Sequence, residues 1–417
     1  MTDDLTEKLR TFLARDDAIG LLRRAIGRES ITGNEANFVD LLGDEMSARA
    51  ITNLHRADFL PGRPNIWGER KGKGGGKRLL FIGHTDTVHV DGWREHWAGT
   101  EREDPFAGAI VDDAIWGRGA GDLKGGICSA LAALSLLDAA GIALRGDVAF
   151  AFVGDEESGE EGTGVSAGIK AYTDRIEAGD VARPDFAVYV EPTQLSIYTA
   201  QIGFFIADIT ITGRSAYFGV PERGKDALKA SHAVMSALWA HSDEISARAS
   251  HDLIGNGFLL ITGLTGGGFI AVPETCRLSL IRKLLPGESL DDAARQMEAV
   301  IHGAILDPEI GVEISYPAGR DHPLGGSAAE IETSLPEVDL LSRCVSGAMA
   351  GRGRLEGAPF WSETPFLVNR LGIQAVYCAP GDIRNCHTFQ EHVDIDEYLA
   401  GIVAFATFMA RYCGVAE

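Results

Sequence analysis

Polar residues of a few types follow the apolar runs of this chain, and this arrangement restricts the fold more than any other sequence feature. The run LLFIG ends at His84, the run VAFAFVG ends at Asp155, and the run FAVYV ends at Glu191. A fourth run, residues 374–378, leads towards His387. Apolar runs of this length that end in polar residues are typical of buried strands whose carboxyl ends reach a site.

The segment between the first two runs predicts a helix. LKGGICSALAALSLLDAAG, which begins at Leu123, has the spacing and the closing glycine of a helix packed on a sheet. Alternation of strand, helix and strand indicates an α/β fold with a mostly parallel sheet flanked by helices. In such sheets polar sites gather at the carboxyl ends of the strands.

A different pattern in the middle of the chain predicts an inserted domain. A βαββαβ order, which is typical of a ferredoxin-like α+β unit, extends from about Gln201 to Tyr316. The α/β pattern resumes after it, so we expect a catalytic α/β domain in two parts, 1–200 and 317–417, around a lid or dimerisation domain, 201–316. The strands are predicted at residues 204–212, 257–264, 276–285 and 312–316, and the helices at residues 225–242 and 289–304.

Charge and hydropathy exclude several classes of partner. Sixty acidic against 38 basic side chains give the 417-residue chain a net charge of -22, the wrong sign for a protein that neutralises phosphates. No apolar run approaches the roughly 18 residues of a membrane helix, and the start MTDDLTEKLR resembles no secretion signal. We therefore expect a cytoplasmic protein with a small-molecule substrate and with neither nucleic acid nor membrane as a partner.

Five short motifs carry the candidate chemistry: GHTDTV, GRGAGDLKGG, GDEESGEEG, VEPT and NCHTFQEHV. Their carboxylates and imidazoles are the ligands of catalytic zinc, manganese and cobalt sites. Asp86, Asp122, Glu157 and Glu191 follow one another at intervals of about 35 residues, the length of one βα unit. Nearly 200 residues then separate Glu191 from His387, as the insertion of a second domain would produce.

These motifs, in this order over residues 65–395, resemble those of the metallopeptidase family of acetylornithine deacetylase, succinyl-diaminopimelate desuccinylase and glutamate carboxypeptidase. The resemblance implies a zinc-peptidase α/β domain with an inserted lid that usually dimerises, and hence a homodimer or a higher homo-oligomer. It also implies one or two divalent ions, manganese, zinc or cobalt. By position, His84 and Glu191 resemble ligands of one metal, Glu157 and His387 ligands of the other, and Asp122 the bridge.

Two further acids take roles from the same resemblance. Asp86, two residues after His84, would orient that imidazole without binding metal. Glu156 would act as the general base, taking a proton from water and returning it to the leaving nitrogen.

The predicted lid departs from the family pattern at its substrate-binding positions. In GRSAYFGVP, Tyr217 stands where relatives carry a histidine that stabilises the oxyanion, and in GGFIAVP, Ile270 replaces an asparagine. In IRKLLP, Lys283 occupies an arginine position beside Arg282. An aromatic ring could lie against Tyr217 and Ile270, and its carboxylate could pair with Arg282 or Lys283.

Three functions are therefore considered. The departures favour a metal-dependent aminohydrolase, a deaminase of an activated aromatic amine such as 5-nitroanthranilate, which one branch of the family hydrolyses. The alternative is an N-acyl-amino-acid deacylase or a small-peptide carboxypeptidase, in which the lid has drifted. A non-hydrolytic metal-binding protein is the third possibility, and Glu156 argues against it because a structural metal site needs no general base.

Overall fold

The structure is a computed structural model that describes residues 4–157 and 162–416. Residues 158–161, the SGEE stretch of the GDEESGEEG motif, lie outside the described residues. The chain separates into two compact units. The first unit comprises Met1–Thr199, Ile331–Gly357 and Phe366–Glu417. The second unit comprises Ala200–Glu330 and Ala358–Pro365.

The α-helices of the described residues are numbered in chain order. They are α1 (Asp4–Phe12), α2 (Arg15–Ile26), α3 (Ala36–Ala48), α4 (Trp93–His96), α5 (Gly125–Ala139), α6 (Ala167–Ala178), α7 (Ala227–Arg248), α8 (Leu290–Ala304), α9 (Pro336–Ala348) and α10 (Ile395–Cys413).

The strands are numbered in the same way. They are β1 (Thr52–Leu60), β2 (Arg63–Arg70), β3 (Leu79–His84), β4 (Ala109–Val111), β5 (Ala114–Trp116), β6 (Val148–Val153), β7 (Phe186–Tyr189), β8 (Ile197–Gln201), β9 (Gly203–Thr212), β10 (Ser250–His251), β11 (Gly255–Asn256), β12 (Phe258–Gly266), β13 (Thr275–Leu284), β14 (Gly311–Ser315), β15 (Gly325–Gly326), β16 (Ala329–Glu330), β17 (Leu355–Ala358), β18 (Ala375–Tyr377) and β19 (His392–Asp394).

The large sheet of the first unit confirms the predicted α/β class and refines it. Its central strands lie in the order β6-β3-β7-β18 and are parallel. Every residue of β3, β6 and β7 is buried, which explains their continuous apolar sequences. The flank formed by β1 and β2 is antiparallel, because these strands form a hairpin and β2 also pairs with β6 in an antiparallel manner. The sheet is therefore mixed, with a parallel centre, rather than mostly parallel throughout.

Helix α5 lies in the core of the first unit and contacts α10 and β3. Its apolar residues surround the helix on all sides, as expected of a helix buried on every face. The stretch Ala120–Ala139 is long and apolar enough to cross a membrane, but 94% of it is buried within the fold. That burial is the environment of a core helix.

The second unit has the predicted ferredoxin-like topology. Its four long strands form an antiparallel sheet in the order β12-β13-β9-β14. Side chains of β9 point alternately inwards and outwards, and those facing inwards form a core with α7 and α8. Side-chain caps begin both helices, because Asp226 accepts the backbone N–H of Lys229 and Ser289 accepts that of Asp292.

The second unit extends beyond the predicted boundary at residue 316. Its chain continues to Glu330, because the short strand β15 pairs with β9. It also includes the returning segment Ala358–Pro365. The hairpin β10–β11, which the sequence pattern did not indicate, lies between α7 and β12. The role of this unit as a lid or a dimerisation domain stays a prediction.

Candidate metal centre

The parallel centre of the first sheet brings the predicted ligands to one edge. His84 is the last residue of β3, Glu157 follows β6, and Glu191 follows β7. His387 comes after β18 at the end of a longer loop. Because β6, β3, β7 and β18 are parallel neighbours, their carboxyl ends meet. Asp122 reaches the same place from the helical turn that precedes α5.

Asp122 lies between the two histidines. Its Oδ1 is 3.0 Å from Nε2 of His84, and its Oδ2 is 3.2 Å from Nε2 of His387. The carboxylate thus presents one oxygen to each imidazole, which is the geometry of a group shared by two sites. Its side chain is nearly fully buried.

A second acid completes each half of the site. Glu191 Oε1 lies 3.6 Å from Nε2 of His84, and Glu157 Oε1 lies 2.7 Å from Nε2 of His387. Potential ligand atoms lie within 4.8 Å of one another in two groups that share Asp122. These groups are His84, Asp122 and Glu191, and Asp122, Glu157 and His387.

Glu156 lies at the border of this cluster and is half-buried. Its carboxylate belongs to a third group of close potential ligand atoms, with His84 and Glu157. Both adjacent glutamates therefore lie close to the candidate ligands. The resemblance assigned them different roles, Glu157 as a metal ligand and Glu156 as the general base.

The electrostatics of the cluster favour positive charge among its carboxylates. Burial alone would lower the pKa of His84, but the carboxylates of Glu191 and Asp122 outweigh it and hold this pKa well above its usual value. Burial would likewise lower the pKa of His387, but Asp122 and Glu157 raise it to about 11. Buried acids in excess of imidazoles require positive charge in their midst.

The fit of a metal rests on one atom in particular. Asp122 Oδ1 is buried and accepts no hydrogen bond from the described residues, because Nε2 of His84, at 3.0 Å, lacks the geometry of a donor to it. A buried carboxylate oxygen without a hydrogen bond is costly unless a cation binds it. Together, the oxygen and nitrogen donors of this edge match the ligand preferences of divalent zinc, manganese and cobalt.

Asp86 makes contacts that differ from those expected. The imidazole of His84 is oriented by the backbone carbonyl of Asp86, 2.9 Å from Nδ1, whereas the Asp86 carboxylate is 3.9 Å away. That carboxylate accepts the backbone N–H groups of Glu157 at 2.9 Å and Glu156 at 3.3 Å, and the Thr32 hydroxyl at 3.1 Å. Burial raises the pKa of Asp86 to about 7.

The sequence reasoning missed a buried ion pair that supports Asp122. Glu391 accepts the backbone N–H of Asp122 at 3.1 Å and that of Gly121 at 3.3 Å through Oε1. Its other oxygen binds the guanidinium of Arg118. Both residues lie inside motifs already recognised, GRGAGDLKGG and NCHTFQEHV, so the signal was present in the sequence but was assigned only to Asp122 and His387.

A second missed feature holds the loop of His387. This residue has a left-handed backbone, with φ of 61°, and a side chain that is 51% exposed. Two residues later, the carbonyl of Phe389 accepts a hydrogen bond of 2.8 Å from Nε1 of Trp97. The Phe389 ring also stacks on His96, with ring centroids 4.7 Å apart. Aromatic contacts thus support the loop that carries the candidate ligand His387.

The four predicted substrate residues belong to the second unit. Tyr217 and Ile270 are 61% and 62% exposed. Their loops are joined, because the backbone of Tyr217 bridges Ala271 and Val272 donates a hydrogen bond to the carbonyl of Ala216. The structure thus brings these two residues into adjacent loops of one surface.

Arg282 and Lys283 both have partners within the second unit. Arg282 is 3% exposed, and its guanidinium binds Glu288 at 2.5 Å. The ammonium of Lys283 donates to the carbonyl of Ile254 at 2.5 Å and lies over the ring of Phe258. They occupy opposite faces of β13, because consecutive strand residues alternate.

Comparison with known proteins identifies a family over the part of the chain that carries the candidate ligands. The family model "Peptidase family M20/M25/M40" matches residues 80–411. A succinyl-diaminopimelate desuccinylase from Gluconacetobacter diazotrophicus is 26% identical over 415 residues, with 96% of this chain and 98% of that protein covered. An acetylornithine deacetylase from Myxococcus xanthus is 25% identical, with 84% of each chain covered.

Solved structures share the fold. The crystal structure of the Bacillus subtilis YXEP protein, described as a dinuclear metal binding peptidase from the M20 family, matches with a TM-score of 0.63 and 15% identity. The alignment covers 97% of this chain and 99% of that one. At this identity the likeness concerns the fold alone.

Proposed function

Because this chain belongs to peptidase family M20/M25/M40, we propose that it hydrolyses the amide bond of a small N-acyl amino acid or of a short peptide. Metal-dependent hydrolysis of C–N bonds is common to the family, and the chain is an enzyme of that class. The observation that carries the proposal is the position of Asp122, which presents one carboxylate oxygen to His84 and the other to His387.

The proposed ligands are those that the sequence suggested. His84 and Glu191 would hold one divalent ion, Glu157 and His387 the other, and Asp122 both. When bound, such ions supply Lewis acidity, which polarises a carbonyl and brings the pKa of water towards neutrality. Zinc, manganese and cobalt all suit this donor set.

Glu156 is the proposed general base. Hydrolysis adds water across the C–N bond, so one proton must leave the water and one must reach the departing nitrogen. A carboxylate at the border of the cluster can accept the first proton on an oxygen and deliver it to the amine. The products are a carboxylic acid and an amine, and no proton is left over.

Two observations support the amide substrate over the aromatic amine that the lid departures favoured. The reported relatives are named a desuccinylase and a deacetylase, which remove acyl groups from nitrogen. In addition, both cations suggested as alternatives for an anthranilate carboxylate already have partners, since Glu288 binds Arg282 and Lys283 donates to the carbonyl of Ile254. Tyr217 and Ile270 remain candidates for contact with an acyl chain, since both are exposed.

The test is product analysis with the manganese-, zinc- and cobalt-loaded protein. The panel contains N-succinyl, N-acetyl and N-formyl amino acids, dipeptides and aminobenzoates that include 5-nitroanthranilate. We expect release of a carboxylic acid and an amine in equal amounts. Release of ammonia from the aminobenzoates alone would overturn the proposal and return the chain to aminohydrolases.

We further propose that the protein forms a cytoplasmic homodimer through its second unit. Strand β12 is an edge of that sheet in the described residues, and it exposes Phe258, Leu260 and Leu264. Trp239 of α7 is 52% exposed. Exposed apolar residues beside a strand edge suit pairing with a second copy. Light scattering should give twice the chain mass, and Trp239→Glu should give the mass of one chain.

A further inference from the structure

Arg63 lies between two buried carboxylates of the first unit. Its Nε is 3.1 Å from both carboxylate oxygens of Glu35, and its Nη2 is 2.8 Å from Oδ1 of Asp155. The side chains of Glu35 and Asp155 are fully buried, and that of Arg63 is 11% exposed. One guanidinium therefore joins the segment before α3 to the loop after β6.

Asp155 closes the loop that contains the two adjacent glutamates. Its carboxylate accepts the backbone N–H groups of Gly164 at 3.1 Å, Val165 at 3.2 Å and Ala167 at 3.1 Å. Its backbone is left-handed, with φ of 73°, a conformation that an aspartate adopts at a cost. The bonds to the carboxylate compensate for that cost and fasten the end of the loop to its beginning.

Glu156 follows directly and is held from the other side as well. The carboxylate of Asp86 accepts the backbone N–H groups of both Glu156 and Glu157. Two buried carboxylates therefore fix the backbone that carries Glu156. Asp155 precedes it in the chain, and Asp86 accepts its backbone N–H. Asp155 has the guanidinium of Arg63 at 2.8 Å, within ion-pair distance.

We propose that Arg63 is a positioning residue for Glu156, which acts by fixing Asp155 and so the backbone that carries the general base. The proposal rests on the proposed function, since it assumes that Glu156 takes the proton. The guanidinium of Arg63 binds Glu35 and Asp155, and neither of them is a candidate metal ligand.

The chemistry of the Glu35–Arg63–Asp155 ion pairs fits a role in positioning better than a purely stabilising one. A buried ion pair often adds little to the free energy of unfolding, because desolvation of the charges offsets their attraction. A guanidinium can bind two carboxylates in fixed directions, whereas an ammonium is a point charge. The arrangement therefore supplies defined geometry at the loop, which catalysis needs more than stability does.

The experiment compares Arg63→Lys and Asp155→Asn with the wild-type protein, all loaded with manganese. Asp155→Asn makes the same test with the guanidinium of Arg63 left in place. We expect kcat to fall about 10- to 100-fold in each, with KM and metal content unchanged. Hydrogen exchange of the amides at residues 162–167 should become faster. Arg70→Lys, which weakens a partly exposed pair with Asp138 at the other end of β2, is the matched control and should leave all these quantities unchanged.

A double-mutant cycle separates positioning from general stability. If Arg63 acts through Glu156, Arg63→Lys should change the residual rate of Glu156→Gln by less than about twofold. Wild-type kcat in both Arg63→Lys and Asp155→Asn would overturn the inference. A 10- to 100-fold fall in the residual rate when Arg63→Lys is added to Glu156→Gln would overturn it as well. Normal turnover by Glu156→Gln would instead contradict the proposed function, so the two failures are distinguishable.

Discussion

The carboxylate of Asp86 accepts the backbone N–H of Glu157 at 2.9 Å, across 71 positions of the chain. This contact connects the end of β3 to the loop after β6, so the residue beside one predicted ligand positions another. His84 takes its orientation from the Asp86 carbonyl, which any residue at this position would supply. The side chain therefore serves the glutamate loop more directly than the histidine.

The first prediction concerns the Asp86 side chain, whose carboxylate binds the glutamate loop while the backbone carbonyl orients His84. Asp86→Ala should lower kcat about 10- to 100-fold, because the backbone of Glu156 and Glu157 loses its acceptor. His84 should keep most of its contribution to metal affinity, since the carbonyl remains. Steady-state kinetics and metal analysis test this. Asp91→Ala is the matched control, because Asp91 follows His89 in an exposed H-x-D sequence. A large loss of metal with unchanged kcat at full metal loading would contradict the prediction.

The adjacent glutamates should separate by role. Glu156→Gln should reduce turnover by about 10²- to 10⁴-fold and keep the metal, because an amide cannot accept the proton. Glu157→Gln should also weaken metal binding, because its carboxylate faces His387. Turnover and metal content are measured on the same preparations. Near-normal turnover in Glu156→Gln would show that another group is the base.

The ion pair behind Asp122 should matter for stability. Glu391→Gln leaves the guanidinium of Arg118 buried without its carboxylate, and the loss of one partner of a buried pair typically costs about 3–5 kcal/mol. We expect a lower unfolding midpoint in urea. Glu397→Gln, in a pair with the more exposed Arg352, should have a smaller effect. Equal midpoints for Glu391→Gln and wild type would count against this support of Asp122.

Acid should destabilise the protein through Glu69. Burial would raise the pKa of Glu69, but hydrogen bonds from Lys71, Arg78 and Asn53 lower it to about 2. A carboxyl whose pKa is lower in the folded state contributes stability above its unfolded pKa and loses it as the pH falls. The contribution should therefore disappear between about pH 4.5 and pH 2.

Urea unfolding at several pH values tests this dependence. Glu69→Gln should reduce the free energy of unfolding at pH 6 and should show a smaller decrease than wild type between pH 4.5 and pH 2. Glu101→Gln, at an exposed position, is the control. A wild-type pH dependence in Glu69→Gln would exclude Glu69 as its source.

The part of the site that the sequence predicted is the part that strand ends determine. His84 ends a buried strand, and Glu157 and Glu191 lie within four residues after one, so the order of parallel neighbours brings them together. An apolar run followed by a polar residue can be recognised locally in the sequence. Because the strands are parallel, the polar residues at their carboxyl ends then lie at the same edge of the sheet.

The remaining contacts depend on partners that no local pattern specifies. The target of the Asp86 carboxylate is a backbone N–H, which every residue except proline carries. Glu391 and Arg118 are far apart in sequence, and only the folded chain shows that both are buried. The contact of Arg282 with Glu288 was not predicted, because Glu288 lies beyond the end of the strand that carries Arg282. The antiparallel flanks escaped prediction because the apolar runs of the central strands do not specify the direction of their neighbours.

The central claim is that a divalent metal pair, held around Asp122, is required for amide hydrolysis. The most direct measurement follows metal content and turnover of one active N-acyl amino acid together, through removal by a chelator and readdition of manganese or zinc. We predict two ions per chain in the active protein, loss of turnover with loss of metal, and recovery on readdition, because the ligands release metal to a strong chelator. Full turnover in protein verified to be metal-free would contradict the account.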